Sequence, residues 1–107
     1  RVVGGPDVMR EQYEVLLAPP ARATVQVLPF ASGEHPAMTG GPFAIMEFRD
    51  PRAPQAGALF VESIRQIFVD SDGDLRSYRR RWEALSAAAL SVDKTAALIR
   101  DAAGKIR

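Results

Sequence analysis

The sequence contains no cysteine and few residues of the other types that most often carry chemistry. Without cysteine there is no disulfide framework and no thiolate metal site. The chain has one histidine, so a cluster of histidine ligands is excluded. It also has one tryptophan. Its longest uncharged run contains Pro29 and ends in serine and glycine, which excludes a transmembrane helix, and no signal peptide is visible. These absences predict a cytoplasmic protein.

The charge balance gives no global field for attracting nucleic acid or a membrane. Fourteen basic and thirteen acidic side chains leave a formal net charge of +1. The 107 residues, 47% hydrophobic and 25% charged, have the composition of one globular domain. Because the chain begins with Arg1 and not methionine, we expect residues 1–107 to be a single-domain fragment of a longer protein.

The first segment has the features of a short amphipathic helix. Pro6 suits the first helical position, Asp7 lies in the first turn, and Pro19 and Pro20 end the helix. A spacing of i, i+4, i+7 and i+8 places four apolar side chains on one face, which predicts a stripe facing the core. These residues are Met9, Tyr13, Leu16 and Leu17.

Several short apolar segments then predict strands joined by loops. Val25 and Val27 alternate with Gln26 in a strand that Pro29 ends. The segment FAIMEF predicts a second strand with Phe43, Ile45 and Glu47 on one face, and ALFVESIRQIFVD predicts strands at residues 58–63 and 66–69. Strands connected without intervening helices favour antiparallel pairing.

Two helices are predicted at the end of the chain. The first is capped by Ser71 or Asp72, and its apolar residues recur every three or four positions. These inward-facing residues are Leu75, Tyr78, Trp82, Leu85 and Ala89. The second helix is capped by Ser91, has Asp93 in its first turn and ends near Gly104. The prediction is therefore an α+β fold: a small antiparallel sheet of three to four strands, with one N-terminal helix and two C-terminal helices.

The single histidine, His35, has no visible catalytic partners. A catalytic histidine needs an orienting carboxylate and a nucleophile or metal, and the sequence has no Gly-x-Ser-x-Gly motif. We therefore expect no enzyme, no catalytic residue, no metal and no cofactor. One alternative is a small hydrolase or metal enzyme that uses His35 with Glu34, Glu47 or Glu62.

Two charged segments suggest other ligands but fit simpler structures better. DSDGD has its glycine at the fourth position, where a calcium loop needs it at the sixth, and Arg81 occupies the twelfth. The segment fits the start of a helix instead. In YRRRWE, Arg76 and Arg80 point outward while Arg79 and Arg81 flank the apolar stripe. This pattern indicates a solvated helix face and no direct DNA contact.

Two acidic residues lie within apolar strands and are candidates for binding. A carboxylate at Glu47 or Glu62 can face solvent, pair with an arginine or contact a ligand. We expect the sheet edge and the loop from Gly33 to Phe43, which includes His35, to form the contact surface. The predicted binding residues are Glu47, Glu62, His35 and Phe43.

A resemblance over nearly the whole chain adds to this interpretation. The chain contains GGPDVMREQ, VQVLPFASGEH and GPFAIMEF, followed by Glu62-Ser63 and Ala89-Leu90-Ser91. In order and spacing these motifs resemble the C-terminal domain of XRE-type helix-turn-helix transcriptional regulators of actinobacteria, the antitoxin-like, WhiJ-like family found in Streptomyces, a domain of unknown function.

The resemblance implies a regulatory role. Such a regulator carries its DNA-binding helix-turn-helix upstream of the present chain, so contact with DNA is expected only through that domain. The expected function is protein or ligand binding that modulates DNA binding. Expected partners are a small BldB-like protein encoded nearby, a small-molecule effector and a second copy in a homodimer. A domain that only dimerises is a further alternative.

Overall fold

The structure is a computed structural model that describes residues 1–33, 41–50, 52, 57–62, 67–69 and 72–106, with the backbone alone at 67–69 and 72–73. Its helices are α1 (Pro6–Leu17), α2 (Asp72–Ala88) and α3 (Val92–Gly104). Its strands are β1 (Phe43–Glu47), β2 (Gly57–Val61) and β3 (Ile67–Val69). This arrangement confirms the predicted α+β class.

The chain divides into two compact units. The first comprises Arg1–Pro29 and Ala89–Arg107, and the second comprises Phe30–Ala88. The first unit therefore joins the two ends of the chain and contains α1 and α3. The second unit contains the sheet and α2.

Helix α1 follows its sequence closely. Pro6 occupies the first helical position and Asp7 the first turn, where its carboxylate accepts a hydrogen bond from Arg10 at 2.9 Å. The four residues of the predicted stripe are half-buried while their helical neighbours are exposed. This stripe accounts for the packing of α1 in the first unit, where α3 is its partner.

The segment around Val25 and Val27 is not a strand, so this prediction was wrong. Val25 and Val27 are half-buried and Gln26 is exposed, as the alternation predicted. Their hydrogen bonds, however, go to the start of α3. The Val27 carbonyl accepts from the Leu90 N–H at 2.9 Å, and the Gln26 side-chain amide donates to the Leu90 carbonyl at 3.1 Å. The start of a helix thus takes the place of a neighbouring strand as the hydrogen-bond partner of this segment. Both kinds of partner offer backbone groups that lack hydrogen bonds of their own.

Thr95, within α3, adds two hydrogen bonds to these contacts. We call the whole set of contacts the Thr95 junction. Its hydroxyl accepts a hydrogen bond from the Val27 N–H at 3.0 Å and lies 3.4 Å from the Leu90 carbonyl, to which it donates. Thr95 is 2% exposed, so bulk water has little access to its hydroxyl. Ser91 caps the same helix by accepting from the Lys94 N–H at 3.2 Å, which confirms the predicted cap.

The sheet of the second unit has the order β1-β2-β3, and both pairings are antiparallel. Phe43 pairs with Val61 and Glu47 with Gly57 across the first pair of strands. The predicted strands at 43–48, 58–63 and 66–69 therefore match within two or three residues. Alternation along β1 places Phe43, Ile45 and Glu47 on one face, as expected, and contacts with Tyr78 and Arg79 show that α2 covers it.

Gly57 allows α2 and the two strands to approach closely. A Cβ atom at this buried position would lie 2.6 Å from the Met46 carbonyl oxygen, 3.3 Å from Leu75 Cδ2 and 3.6 Å from Arg79 Nη2. The first distance involves backbone and cannot be relieved by rotating a side chain. Any larger residue would therefore separate β1 from β2 beside Glu47.

Replacing Thr95 with valine should destabilise the first unit. Thr95→Val keeps the shape of the side chain but leaves the half-buried Val27 N–H without its acceptor, so we expect a loss of about 1–3 kcal/mol in the free energy of unfolding. Thr95→Ser keeps the hydroxyl and should lose less. Chemical denaturation measures both, and equal losses for the two variants would contradict the role of the hydroxyl.

Replacing Gly57 with alanine should destabilise the second unit by about 1–3 kcal/mol, because the added methyl group overlaps the Met46 carbonyl. Gly104→Ala is a matched control, since a Cβ there meets no atom within 4 Å at the end of α3. The control should leave stability unchanged or raise it by about 0.5–1 kcal/mol. Thermal or urea denaturation that ranks the two variants in the opposite order would refute this account of Gly57.

Candidate functional site

An open groove of about 600 Å³ lies in the second unit, between the edge strand β1 and α2. Three apolar residues of the strand and an ion pair contribute to its walls, and most of its surface is apolar. The lining residues are Phe43, Ala44, Ile45, Glu47, Arg79 and Trp82. A volume between about 300 and 1,000 Å³ with a few polar groups is typical of a ligand site.

Arg79 is the basic residue that lines this groove. Its Nη2 lies 3.5 Å from Glu47 Oε1, a distance at the outer limit of an ion pair. The Arg79 Nε is buried and has no hydrogen-bond partner within the described residues. A buried donor without an acceptor costs about 1–3 kcal/mol, so this arginine does not occupy an optimal structural position.

The Glu47 carboxylate is also held only weakly by this ion pair. Its side chain is 70% exposed, against 38% for Arg79. Exposed pairs of this kind contribute little to stability because water and salt screen them. The carboxylate is consequently free to move away from Arg79 at low cost.

Trp82 is 59% exposed, which contradicts the prediction that it faces the core. Leu75 is buried and Tyr78 and Leu85 are half-buried, so the predicted stripe holds elsewhere along α2. Trp82 lines the groove beside residues of β1 instead. The predicted exposure of Arg76 and Arg80 is confirmed.

The end of the groove at Phe43 is fixed by aromatic packing. The rings of Phe43 and Tyr78 lie edge to face, with centroids 5.1 Å apart. On the helix, the Arg81 guanidinium lies over the Tyr78 ring, 4.6 Å from its centroid. Arg79 and Arg81 thus flank the apolar stripe, as predicted, but only Arg79 lines the groove.

Two of the four predicted binding residues come together in this groove. Phe43 and Glu47 both line it. Glu62 is exposed beyond the other end of β2, where its N–H donates to the Pro42 carbonyl at 2.9 Å. It is offset from Glu47 by five register positions, roughly 16 Å at the rise of an extended strand. His35 and Glu34 lie outside the described residues, as does most of the loop leading to Phe43.

Sequence reasoning missed Arg79 and Trp82 as candidate site residues. Both were interpreted as parts of a helix, one as a flanking cation and one as core. The available signal was the i, i+3 spacing of these two residues on a helix that lies beside an acidic residue of a strand. This signal can be recognised only when it is known that α2 packs against β1.

The described part of the chain offers no other evident chemistry. Within it, no three histidine, aspartate or glutamate side chains are grouped so as to hold a metal ion. The acidic segment at Asp72 is the start of α2. None of the helices in these ranges is long and apolar enough to cross a membrane.

Comparison with protein families gives one match, which extends over nearly the whole chain. The family model described as "Domain of unknown function (DUF5753)" matches residues 1–101. The chain belongs to the DUF5753 family. Comparisons with curated proteins and with solved structures returned no significant match. The DUF5753 match spans both units, so the groove and the Thr95 junction lie in residues of one family domain.

Replacing Arg79 with methionine should not lower the stability of this DUF5753 domain. Arg79→Met removes a buried unsatisfied donor and a weak ion pair, so we expect the free energy of unfolding to stay constant or rise by about 1 kcal/mol. Urea denaturation provides the measurement. The control Leu75→Ala, at a buried apolar position of the same helix, should cost about 2–5 kcal/mol. A large loss in Arg79→Met would show that this residue serves the fold.

Proposed function

We propose that this chain is the regulatory binding domain of a helix-turn-helix transcriptional regulator, and that the groove between β1 and α2 is its receptor surface. The domain is not an enzyme in this proposal, and the regulator acts in the cytoplasm. Binding at the groove modulates the affinity for DNA of a helix-turn-helix domain encoded upstream. The motifs that resemble actinobacterial XRE-type regulators of the WhiJ-like kind support the regulatory context.

The observation that carries the proposal is the composition of the groove. It combines apolar walls, a half-exposed tryptophan and an arginine donor without an acceptor. An exposed aromatic side chain and a buried donor without an acceptor both cost free energy, and a ligand that covers the first and accepts a hydrogen bond from the second removes that cost. A sequence selected for stability alone would keep neither the exposed tryptophan nor the buried arginine donor without an acceptor.

The mechanism in this proposal is a population shift. A ligand changes an equilibrium only by its difference in affinity for two arrangements of the protein. An occupant that binds the groove in one arrangement therefore biases the attached DNA-binding domains toward that arrangement. A small BldB-like protein encoded nearby or a small-molecule effector provides the occupant, and a homodimer matches the two-fold symmetry of many operator sites.

The protein-partner form of this proposal predicts specific co-purification. The full protein containing this chain, expressed with an affinity tag, should capture the product of the adjacent gene. Trp82→Ser should reduce the capture at least tenfold, since an exposed interface tryptophan contributes roughly 1.4 kcal/mol or more. Quantitative pull-down from co-expressing cells provides the measurement.

Arg80→Ser is the matched control, because Arg80 is exposed on α2 and does not line the groove. It should leave the capture unchanged. Equal capture by all variants would place the interface elsewhere, and no capture by the wild-type protein would remove the protein partner. A coding sequence upstream of Arg1 without a helix-turn-helix would contradict the regulatory context itself. Sedimentation equilibrium with dimers as the sole complex would favour a domain that only dimerises.

A further inference from the structure

We infer that the groove binds a small carboxylic acid with an apolar body, whose carboxylate replaces Glu47 on Arg79. This inference rests on the proposed function and specifies the chemistry of the occupant. The apolar body would lie against Phe43, Ile45 and Trp82. The proposal follows from the donors of Arg79, the charge along α2 and the size of the groove.

Two neighbouring nitrogens of Arg79, Nε and Nη2, are incompletely paired. The Nε and Nη2 atoms of a guanidinium form the edge that a carboxylate contacts with two parallel hydrogen bonds. Here Nη2 has only Glu47 at 3.5 Å, and the buried Nε has no partner in the described parts of the chain. A carboxylate that replaces Glu47 would pair with Nη2, and it would reach the buried Nε as well once the guanidinium turns that edge toward the groove.

Glu47 is suited to be displaced. Its side chain is 70% exposed, so it regains full hydration when it turns away from Arg79. Its charge also blocks the groove against anions until it moves. The resident carboxylate therefore competes with the ligand for one arginine, and neutralising Glu47 should strengthen binding.

The surrounding charge favours an anion over a cation. Helix α2 carries three acidic residues, Asp72, Asp74 and Glu83, and four arginines, which all lie between Arg76 and Arg81. Of these arginines, Arg79 alone lines the groove, while the others contribute a positive field from the same helix. A cationic ligand would gain from Glu47 but would be repelled by this helix.

The size of the site favours a small molecule over a protein surface. A groove of about 600 Å³ matches the volume of sites for small ligands. Its exposed aromatic group is one indole, whereas a stable protein interface buries about 800 Å² on each partner.

Three probes with the same apolar body test the inference on the 107-residue chain. Cyclohexylacetate, cyclohexylacetamide and 2-cyclohexylethylamine carry a negative, a neutral and a positive head group. Trp82 is the sole tryptophan, so its indole N–H gives one identifiable resonance in a two-dimensional NMR spectrum of the ¹⁵N-labelled protein. Titration of that resonance gives each Kd. We expect cyclohexylacetate to bind roughly tenfold more tightly than the amide, with the amine weakest.

Variants distinguish the carboxylate contact from general apolar binding. Arg79→Met should weaken cyclohexylacetate roughly tenfold while leaving cyclohexylacetamide unchanged. Glu47→Gln should tighten cyclohexylacetate, and Arg80→Met, outside the groove, should have no effect. Thermal melting of each variant confirms that it folds, and the opposite directions at positions 47 and 79 exclude a common folding defect.

The outcomes separate this inference from the proposed function. Tightest binding of the amine, or weaker binding of the acid in Glu47→Gln, overturns the carboxylate assignment while leaving the groove a binding site. Absence of any shift at Trp82 also overturns it, and the proposed function then depends on the co-purification result alone. Capture of the adjacent gene product without binding of the acid identifies a protein occupant instead.

Discussion

The missing side chain at Gly57 is the constraint on which the groove depends. At this position the backbone of β2 pairs with Glu47 of β1 and lies directly beneath Leu75 and Arg79 of α2. Three elements meet where a Cβ atom would overlap the Met46 carbonyl. This close contact holds the Arg79 guanidinium beside the end of β1, within 3.5 Å of Glu47. The close approach of α2 to this end of the β1–β2 pair thus depends on the absence of one methyl group.

The first unit depends on a polar contact of a different kind. Thr95, which is 2% exposed, provides a hydroxyl that links the Val27 N–H to the Leu90 carbonyl. Buried polar contacts fix one arrangement because every alternative leaves a donor unsatisfied. Arg79 shows the reverse case in the second unit, since its buried Nε has no hydrogen-bond partner among the residues that the structure describes.

Sequence reasoning succeeded where local periodicity decides the structure. The stripe on α1, the Ser91 cap of α3 and the positions of β1 and β2 all follow from residue spacing or capping chemistry. It failed at Val27 and Trp82 because long-range contacts decide these positions. The alternation around Val27 correctly indicated burial, but its hydrogen-bond partner lies 68 residues away on a helix. Trp82 has the spacing of a core residue, but the packing of α2 on the sheet, which spacing does not record, leaves it 59% exposed.

The sequence by itself determined the α+β class, the starts of α1 and α3, the alternating face of β1 and the candidate residues Phe43 and Glu47. Each of these features depends on interactions between residues that are close in the chain, so residue spacing and helix-capping residues are enough to predict it. The tertiary structure alone decided that Arg79 and Trp82 join them in one groove and that Glu62 lies at the opposite end of the hairpin. These relations arise from strand register and helix packing, which bring together residues that are more than thirty positions apart in the chain.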